Sequence, residues 1–458
     1  MKRTTCGILS VFILSLSCHA CAKMRMKADT DSGSSECEGE NGSESDCSIS
    51  EEIIDREVKK ANIIDLLFVV DNSKSMAQEQ AKLRAQIPRM IGVLTTGDRT
   101  PENGFENNDF QPVKDLHLAV VSSDMGLPGL APGDNPDTTG ACNGTGDDGR
   151  FRRNISEAIA EGMSCPGIGD YPLFLEHIRE DKEDRATTLQ RAETTAEDFG
   201  CLAALGTSGC GFEMPLESAL KALWPAQINN LSEDQRSLEI NFLSGSQGRG
   251  DNEHKDFLRG TPYHPTEADK ISFLAIVLVT DEEDCSAGAQ DDLQFLSINF
   301  PGGTRNDLNL RCYKDTLNAW DNKYPVSRYI DGFKALRPRF PDRVVFAAIA
   351  GIPSGLREDA NRDNNISDQE REDFYNQILN HPFMQETPNP VTNNLEFSCE
   401  HQDFSTGEYD TQAAPARRIA EVARGFGANG VLRSICSDDF TPAMDAILDV
   451  IVNNVNNG

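Results

Sequence analysis

Short, mostly apolar stretches recur along this 458-residue chain and alternate with segments of helical spacing. A continuous apolar run predicts a strand buried on both faces of a sheet, whereas apolar residues three and four positions apart predict a covering helix. The predicted strands are 63–70, 116–122, 271–280, 343–350 and 430–435, and the predicted helices are 75–93, 214–223, 368–379, 415–424 and 439–453.

This alternation predicts an α/β fold, a doubly wound and mostly parallel sheet within residues 59–456. The segments 126–200, 226–268 and 284–340 are rich in Gly, Asp, Asn and Pro, and we expect them to be large loop insertions without cores of their own. They carry most of the cysteines, so disulfides are expected to brace them.

The first residues indicate export. An apolar run at 7–17 follows Lys2 and Arg3. It is shorter than the roughly 20 residues of a membrane-spanning helix and fits a secretory signal peptide over residues 1–20. The small residues before Cys21 resemble a bacterial lipoprotein signal, which implies an acylated Cys21 and a lipid anchor in the envelope, at the outer membrane or cell surface. Simple cleavage after Ala22 is the alternative.

Residues 21–58 are predicted to be a disordered acidic linker, because 28–53 hold nine acidic residues, no basic residue and no apolar period. An even number of cysteines follows Cys21, which permits five disulfides. Their spacing favours pairs of sequence neighbours, although sequence alone leaves the connectivity open. These cysteines are Cys37, Cys47, Cys142, Cys165, Cys201, Cys210, Cys285, Cys312, Cys399 and Cys436.

The charge balance limits the partners. The chain has 43 basic and 74 acidic residues, a net charge of −31. Such a surface repels nucleic-acid phosphates and anionic membranes, so we expect no nucleic-acid partner and no membrane contact except through a lipid anchor. The same surface favours cations.

An Asp-x-Ser-x-Ser loop follows the first predicted strand and leads into a helix. It places Asp71, Ser73 and Ser75 at the carboxyl end of a strand, where open α/β sheets bind ligands. One carboxylate and two hydroxyls at alternating positions form an oxygen cage that suits Ca²⁺, Mg²⁺ or Mn²⁺. The alternative is a helix N-cap by Asp71 or Ser73.

The loop and the strand order resemble a von Willebrand factor type A domain and its metal-ion-dependent adhesion site, over roughly residues 60–455. The resemblance implies that Asp281, after the strand at 271–280, is a further metal ligand. The family has a threonine ligand where this chain has Met214. We expect the neighbouring Glu213 to act there, directly or through water, or the site to be weaker and to take a larger ion such as Ca²⁺.

A second oxygen-rich segment, 359–370, resembles the twelve-residue calcium loop of an EF-hand. Asn at its sixth position replaces the usual glycine and tolerates the same turn. The alternative is a polar turn before an N-capped helix. The expected Ca²⁺ ligands are Asp359, Asn361, Asp363, Asn365, Ser367 and Glu370.

Other motifs carry less weight. The Gly-x-Gly-x-x-Gly sequence at 144–149 has no strand before it, and Asp147 and Asp148 would repel a pyrophosphate, so a solvated turn is expected. Carboxylates at 281–284 suit acid–base chemistry, but no nucleophile accompanies them, and we expect no enzyme activity.

These features together predict an extracytoplasmic protein that binds divalent cations and, through them, an unidentified protein or glycan of the envelope or exterior. The alternative is a structural or assembly protein of the envelope whose cations only stabilise the fold.

Overall fold

The computed structural model describes residues 36–38, 44–46 and 62–457, with gaps inside the last range. The gaps are 101–105, 107–108, 132, 138, 167–170, 181, 244–249, 251–253, 260–271, 288–291, 302–309, 314–321, 339, 357–365, 393 and 403–408. The chain divides into two units, Met1–Val58 and Lys59–Gly458.

The described part of the first unit is an antiparallel pair of short strands, β1 (Glu36–Glu38) and β2 (Glu44–Asp46). Cys37 lies in β1, whereas Cys21 and Cys47 fall outside the described residues.

The second unit alternates strands and helices. Its elements are β3 (Ile63–Val70), α1 (Ala77–Thr96), β4 (Asp115–Ser122), α2 (Ser156–Ala160), β5 (Leu175–Ile178), α3 (Arg185–Leu202), α4 (Pro215–Leu223), α5 (Glu233–Ser237), β6 (Phe273–Val279), α6 (Val326–Lys334), β7 (Val344–Ala350), α7 (Asp368–Leu379), β8 (Cys399–Gln402), β9 (Tyr409–Ala413), α8 (Arg417–Gly425), β10 (Gly430–Ser434) and α9 (Thr441–Asn457). Among the described residues, no helix is long and apolar enough to cross a membrane.

Six strands form one sheet in the order β10-β7-β6-β3-β4-β5. All neighbouring strands run parallel except β4 and β5, which pair antiparallel at the edge. The predicted α/β fold with a mostly parallel sheet is therefore confirmed. The hairpin of β8 and β9 is separate from this sheet.

The apolar strands are buried on both faces, which explains why they read as continuous runs. In β3, Leu66 and Phe68 face one core and Leu67 and Val69 face the other, because successive side chains alternate. Helices α1, α3 and α9 cover the first face, and α4, α6, α7 and α8 cover the second.

Parts of the predicted insertions belong to the main fold, which corrects the expectation that they are only loops. Helix α3 packs Phe199 against Phe68 with ring centroids 5.4 Å apart. Strand β5 extends the sheet, and α6 buries Tyr329 and Phe333. The pattern of α3 is weak because its buried stripe includes small side chains such as Ala192 among many threonines and charges.

The described residues contain four disulfides: Cys142–Cys210, Cys165–Cys201, Cys285–Cys312 and Cys399–Cys436. The last three join sequence neighbours, as expected. The expected pairing is wrong for Cys142 and Cys210, whose bridge encloses Cys165–Cys201, because α3 carries Cys201 back to Cys165. Several disulfides indicate an extracytoplasmic protein, since thiols stay reduced in the cytosol.

We predict that Phe199→Ala lowers the free energy of unfolding by about 3–5 kcal/mol, because it removes a fully buried ring from the main core. Chemical denaturation monitored by circular dichroism measures the change. The matched control is Gln190→Ala on the exposed side of the same helix, which should cost less than about 0.5 kcal/mol. Equal effects would show that α3 does not contribute to the core.

Candidate metal centre

Three aspartates follow three neighbouring parallel strands. The strand register aligns Val70 of β3 with Ser122 of β4 and Val279 of β6, so the three strands end at one edge of the sheet. Asp71, Asp124 and Asp281 lie just beyond these ends and are all buried. The charge of Asp71 contributes to raising the pKa values of both other aspartates, which confirms their proximity.

The Asp71 loop folds on itself. Asp71 Oδ1 accepts a hydrogen bond from the Ser73 backbone N–H at 2.7 Å, and its Oδ2 accepts one from the Thr280 hydroxyl at 2.6 Å. The Ser73 and Ser75 hydroxyl oxygens are 3.3 Å apart. Ser73 is buried and Ser75 is exposed. The side-chain oxygens of this loop therefore extend from the interior of the protein to its surface.

Helix α1 does not use this loop as a cap. Its N-cap residue is Met76, and no side chain caps it. The N-cap alternative for Asp71 or Ser73 therefore does not explain this loop. The Asp71 carboxylate instead accepts hydrogen bonds from the Thr280 hydroxyl, just after β6, and from the Ser73 N–H.

Glu213 joins the group from the segment before α4. Its carbonyl accepts a hydrogen bond from the Cys285 N–H at 2.8 Å, and the following Met214 N–H donates to the Ser123 carbonyl at 2.9 Å. These bonds tie the segment to the loops after β4 and β6. Met214 is the N-cap of α4 and offers no capping side chain, so Glu213 is the oxygen-bearing side chain directly before this helix start.

The buried carboxylates lack counter-charges. Among the residues that the structure describes, no lysine, arginine or histidine forms an ion pair with Asp71, Glu213 or Asp281. Burial, followed by the charge of Asp71, raises the pKa values of Glu213 and Asp281 well above their ordinary range. Burial also raises the pKa of Asp71, although hydrogen bonds from Thr280 and Ser73 partly oppose it.

Among the described residues, one of these carboxylate oxygens lacks a hydrogen-bond partner: Asp281 Oδ1 is buried and unpaired. Leaving a buried acceptor in this state is unfavourable, and a cation between the loops would relieve it. The donors present are all carboxylate and hydroxyl oxygens, which is the set that Mg²⁺, Mn²⁺ and Ca²⁺ prefer.

The carboxylates of this site are not sufficient by themselves to hold a metal ion. Within the described ranges, no group of three or more His, Cys, Asp or Glu side chains is placed to hold a metal ion. An ion here would depend on the Ser73 and Ser75 hydroxyls as well as on the carboxylates.

Sequence reasoning missed several members of this neighbourhood. Thr280 positions the Asp71 carboxylate, and the Tyr313 hydroxyl donates to Glu282 Oε2 at 2.9 Å. Asp124 carries a pKa raised to about 6, mainly by burial. The signal for Asp124 was present, because it follows an apolar strand as Asp71 and Asp281 do. Nothing local marked Tyr313, since it reaches Glu282 from a distant loop.

Most of the candidate calcium loop lies outside the described residues, including Asp359, Asn361, Asp363 and Asn365. Ser367 and Glu370 form a capping box at the start of α7, in which the Ser367 N–H donates to Glu370 Oε2 at 2.9 Å and the Glu370 N–H donates to Ser367 Oγ at 3.2 Å. This arrangement matches the N-capped-helix alternative for these two residues, and the calcium site stays a prediction.

Asp284 has the surroundings of a structural carboxylate. It is fully buried and accepts hydrogen bonds from the Leu216 N–H at 3.2 Å, the Ser286 hydroxyl at 2.6 Å and Arg418 Nε at 3.1 Å. With its oxygens occupied by the start of α4 and by α8, Asp284 is not favoured as an acid–base group.

Comparison with known proteins found no match to this chain among protein-family models, curated proteins or solved structures. The geometry of the site therefore carries the functional argument by itself.

We predict that the cation-free protein loses stability as pH rises from about 4.5 to about 7. Burial raises the pKa of Glu282 from its ordinary 4.5 to about 7, and Glu213 and Asp281 shift in the same direction. In that interval the folded chain binds more protons than the unfolded chain, so raising the pH favours unfolding. Melting temperatures in EDTA between pH 4.5 and 7.5 measure the effect.

Adding Ca²⁺ or Mg²⁺ should raise the melting temperature more at pH 7 than at pH 5, because only deprotonated carboxylates attract the ion. A melting temperature in EDTA that increases steadily over this interval would contradict the raised pKa values.

Proposed function

We propose that this chain is an extracytoplasmic binding protein that uses a divalent cation, held by a domain of the von Willebrand A type, to engage a protein or glycan partner. The observation behind the proposal is that Asp71, Asp281 and Glu213 are buried near the carboxyl ends of the central strands, with no ion pair to a cationic side chain among the described residues. A fold rarely buries such a group unless a cation completes it.

In this proposal Asp71, Ser73, Ser75 and Asp281 hold the ion, and Glu213 acts directly or through water. An ion held by these residues would supply positive charge to the carboxylates and could bind an oxygen of a partner. Ca²⁺ fits the set best because its coordination is the least demanding, and Mg²⁺ or Mn²⁺ remains compatible with it. The additional carboxylate of Glu213 weakens the attraction of the ion for an acidic partner.

A partner has a surface from which to approach. Ser75 is exposed, and a pocket of about 220 Å³ is lined by Glu213, Glu282 and Tyr313 next to the candidate ion position. Phe212 and Leu395 supply apolar wall to the same pocket. This combination of polar and apolar surface is typical of a site that positions a ligand group.

The second candidate is a structural or assembly protein of the envelope, in which the ion only braces the loops. The full burial of Asp71 and its two hydrogen bonds to the fold favour this candidate. The two functions differ in one outcome: loss of the ion abolishes partner binding by a folded domain in the first, and only lowers stability in the second.

Location follows from the same proposal. The four disulfides indicate an oxidising compartment, and acylation of Cys21 would anchor the chain in the envelope. Intact mass analysis of the purified mature chain tests the anchor: an acylated cysteine supports it, and a free amino terminus at Lys23 contradicts it.

We predict that Asp281→Asn weakens Ca²⁺ or Mg²⁺ binding at least about tenfold, because it removes one negative charge from the proposed ligands. In EDTA at pH 7 the same variant should be as stable as the native chain or more stable, since it removes a buried charge that lacks a counter-ion. Calorimetric titration and thermal unfolding measure the two effects.

The matched control for this prediction is Glu193→Gln, which removes one negative charge at an exposed position of α3. It should change neither metal affinity nor stability. Equal metal affinity in Asp281→Asn and the native chain would remove the support for this centre.

The calcium loop at 359–370 is proposed as a second ion site. Native mass spectrometry of the non-reduced chain with Ca²⁺ should show two bound ions, falling to one in Asp281→Asn and to one in Asp363→Ala. If Asp363→Ala still bound two ions, the calcium loop would lose its support, and Ser367 and Glu370 would have only their capping role.

A further inference from the structure

A second pocket lies on the loop that carries the Gly-x-Gly-x-x-Gly sequence. Its volume is about 330 Å³, and its lining includes Gly146, Asp147, Arg150, Arg152 and Arg153. We call it the arginine pocket. Three arginines in one small pocket stand out on a chain with 74 acidic and 43 basic residues.

The backbone of this pocket is fixed. The Arg152 N–H donates to the Val120 carbonyl of β4 at 2.7 Å, and the Phe151 N–H donates to His254 Nε2 at 3.0 Å. The Cys142–Cys210 disulfide holds the preceding loop. A pocket that is held in this way is formed before any ligand arrives, which lowers the entropy cost of binding.

One acidic residue of the loop is neutralised inside the protein, and the other is held by hydrogen bonds. Asp148 is buried and forms an ion pair with Lys221, which corrects the expectation of a solvated turn there. Asp147 Oδ2 accepts hydrogen bonds from the Ser122 hydroxyl at 2.6 Å and from Asn72 Nδ2 at 3.4 Å. The objection that these aspartates repel an anion is therefore weaker than the sequence indicates.

Arg152 and Arg153, in contrast, keep donors for which the described part of the chain supplies no acceptor. Arg152 Nε is buried without a hydrogen-bond partner. Arg153 Nε donates to the Tyr171 carbonyl at 2.8 Å, and within the described part of the chain neither Arg152 nor Arg153 forms an ion pair. Since Nε itself is enclosed by the protein, an oxyanion in the pocket would accept from the terminal nitrogens of the guanidinium groups.

His254 contributes no charge to this pocket. Its Nε2 accepts from the Phe151 N–H, so its Nδ1, 2.8 Å from the Ala222 carbonyl, carries the proton and donates there. Both ring nitrogens are used by the fold, which leaves the arginines as the recognition groups.

We propose that the arginine pocket binds a small oxyanion, the phosphate, sulfate or carboxylate group of a ligand. The planar guanidinium groups of Arg152 and Arg153 suit paired hydrogen bonds to such oxygens. This binding needs no divalent cation, so it goes beyond the proposed metal centre and does not rest on it.

The test is calorimetric titration of the full chain, with its disulfides intact, in EDTA at constant ionic strength. Inorganic phosphate, sulfate and glucuronate are the probes, and glucose is the uncharged control. We expect saturable binding of one equivalent of at least one anion and none of glucose. The anion that binds most tightly identifies which of the three groups the pocket accepts.

Arg152→Gln and Arg153→Gln should each weaken this binding at least about tenfold, because each removes a charge-assisted hydrogen-bond donor. The matched control is Arg236→Gln, the same change at an exposed arginine of α5 outside the pocket, which should leave the affinity unchanged. Circular dichroism establishes that each variant is folded, and Arg152→Lys retains the charge if Arg152→Gln fails to fold.

Three results would overturn the proposal. They are no saturable binding of any of the anions, equal weakening in Arg236→Gln, and unchanged affinity in a folded Arg152→Gln, Arg153→Gln double variant. Titration of Asp281→Asn separates the two sites: retained anion binding supports the arginine pocket, and lost binding assigns the anion to the metal centre.

Discussion

The parallel pairing of β3 with β4 on one side and β6 on the other is the constraint on which the rest of this structure depends. Backbone hydrogen bonds fix Val70 level with Ser122 and Val279, so every loop that follows these strands begins at the same edge. Acidic residues that are far apart in sequence are thereby forced together. The sheet is so well buried that water does not separate their charges, and the fold must carry that electrostatic cost unless an ion offsets it.

The central strands and the helices with a strong apolar period were predictable from the sequence, because strands buried on both faces are nearly continuous apolar runs. Asp71 and Asp281 were predicted for a related reason, since each directly follows such a strand. Helix α3 was missed because much of its buried stripe is alanine and threonine, residues that also suit exposed helices and loops. Tyr313 was missed because its partner, Glu282, is distant in sequence. Asp148 was assigned to a solvated turn because its partner, Lys221, is also distant in sequence.

The same distinction explains the cysteines. Cys285–Cys312 and Cys399–Cys436 close local loops, and spacing was sufficient to suggest them. Cys165–Cys201 also joins neighbours, but the Cys142–Cys210 bridge that encloses it depends on where α3 lies, which spacing does not reveal. Tertiary placement, not local pattern, decides which cysteines meet.

The Cys142–Cys210 bridge joins the loop of the arginine pocket to the segment that carries Glu213. One covalent bond therefore ties together the two chain segments that lead into the candidate sites. Because such a bond persists only in an oxidising compartment, the connection between these segments depends on the redox conditions around the chain as well as on its sequence.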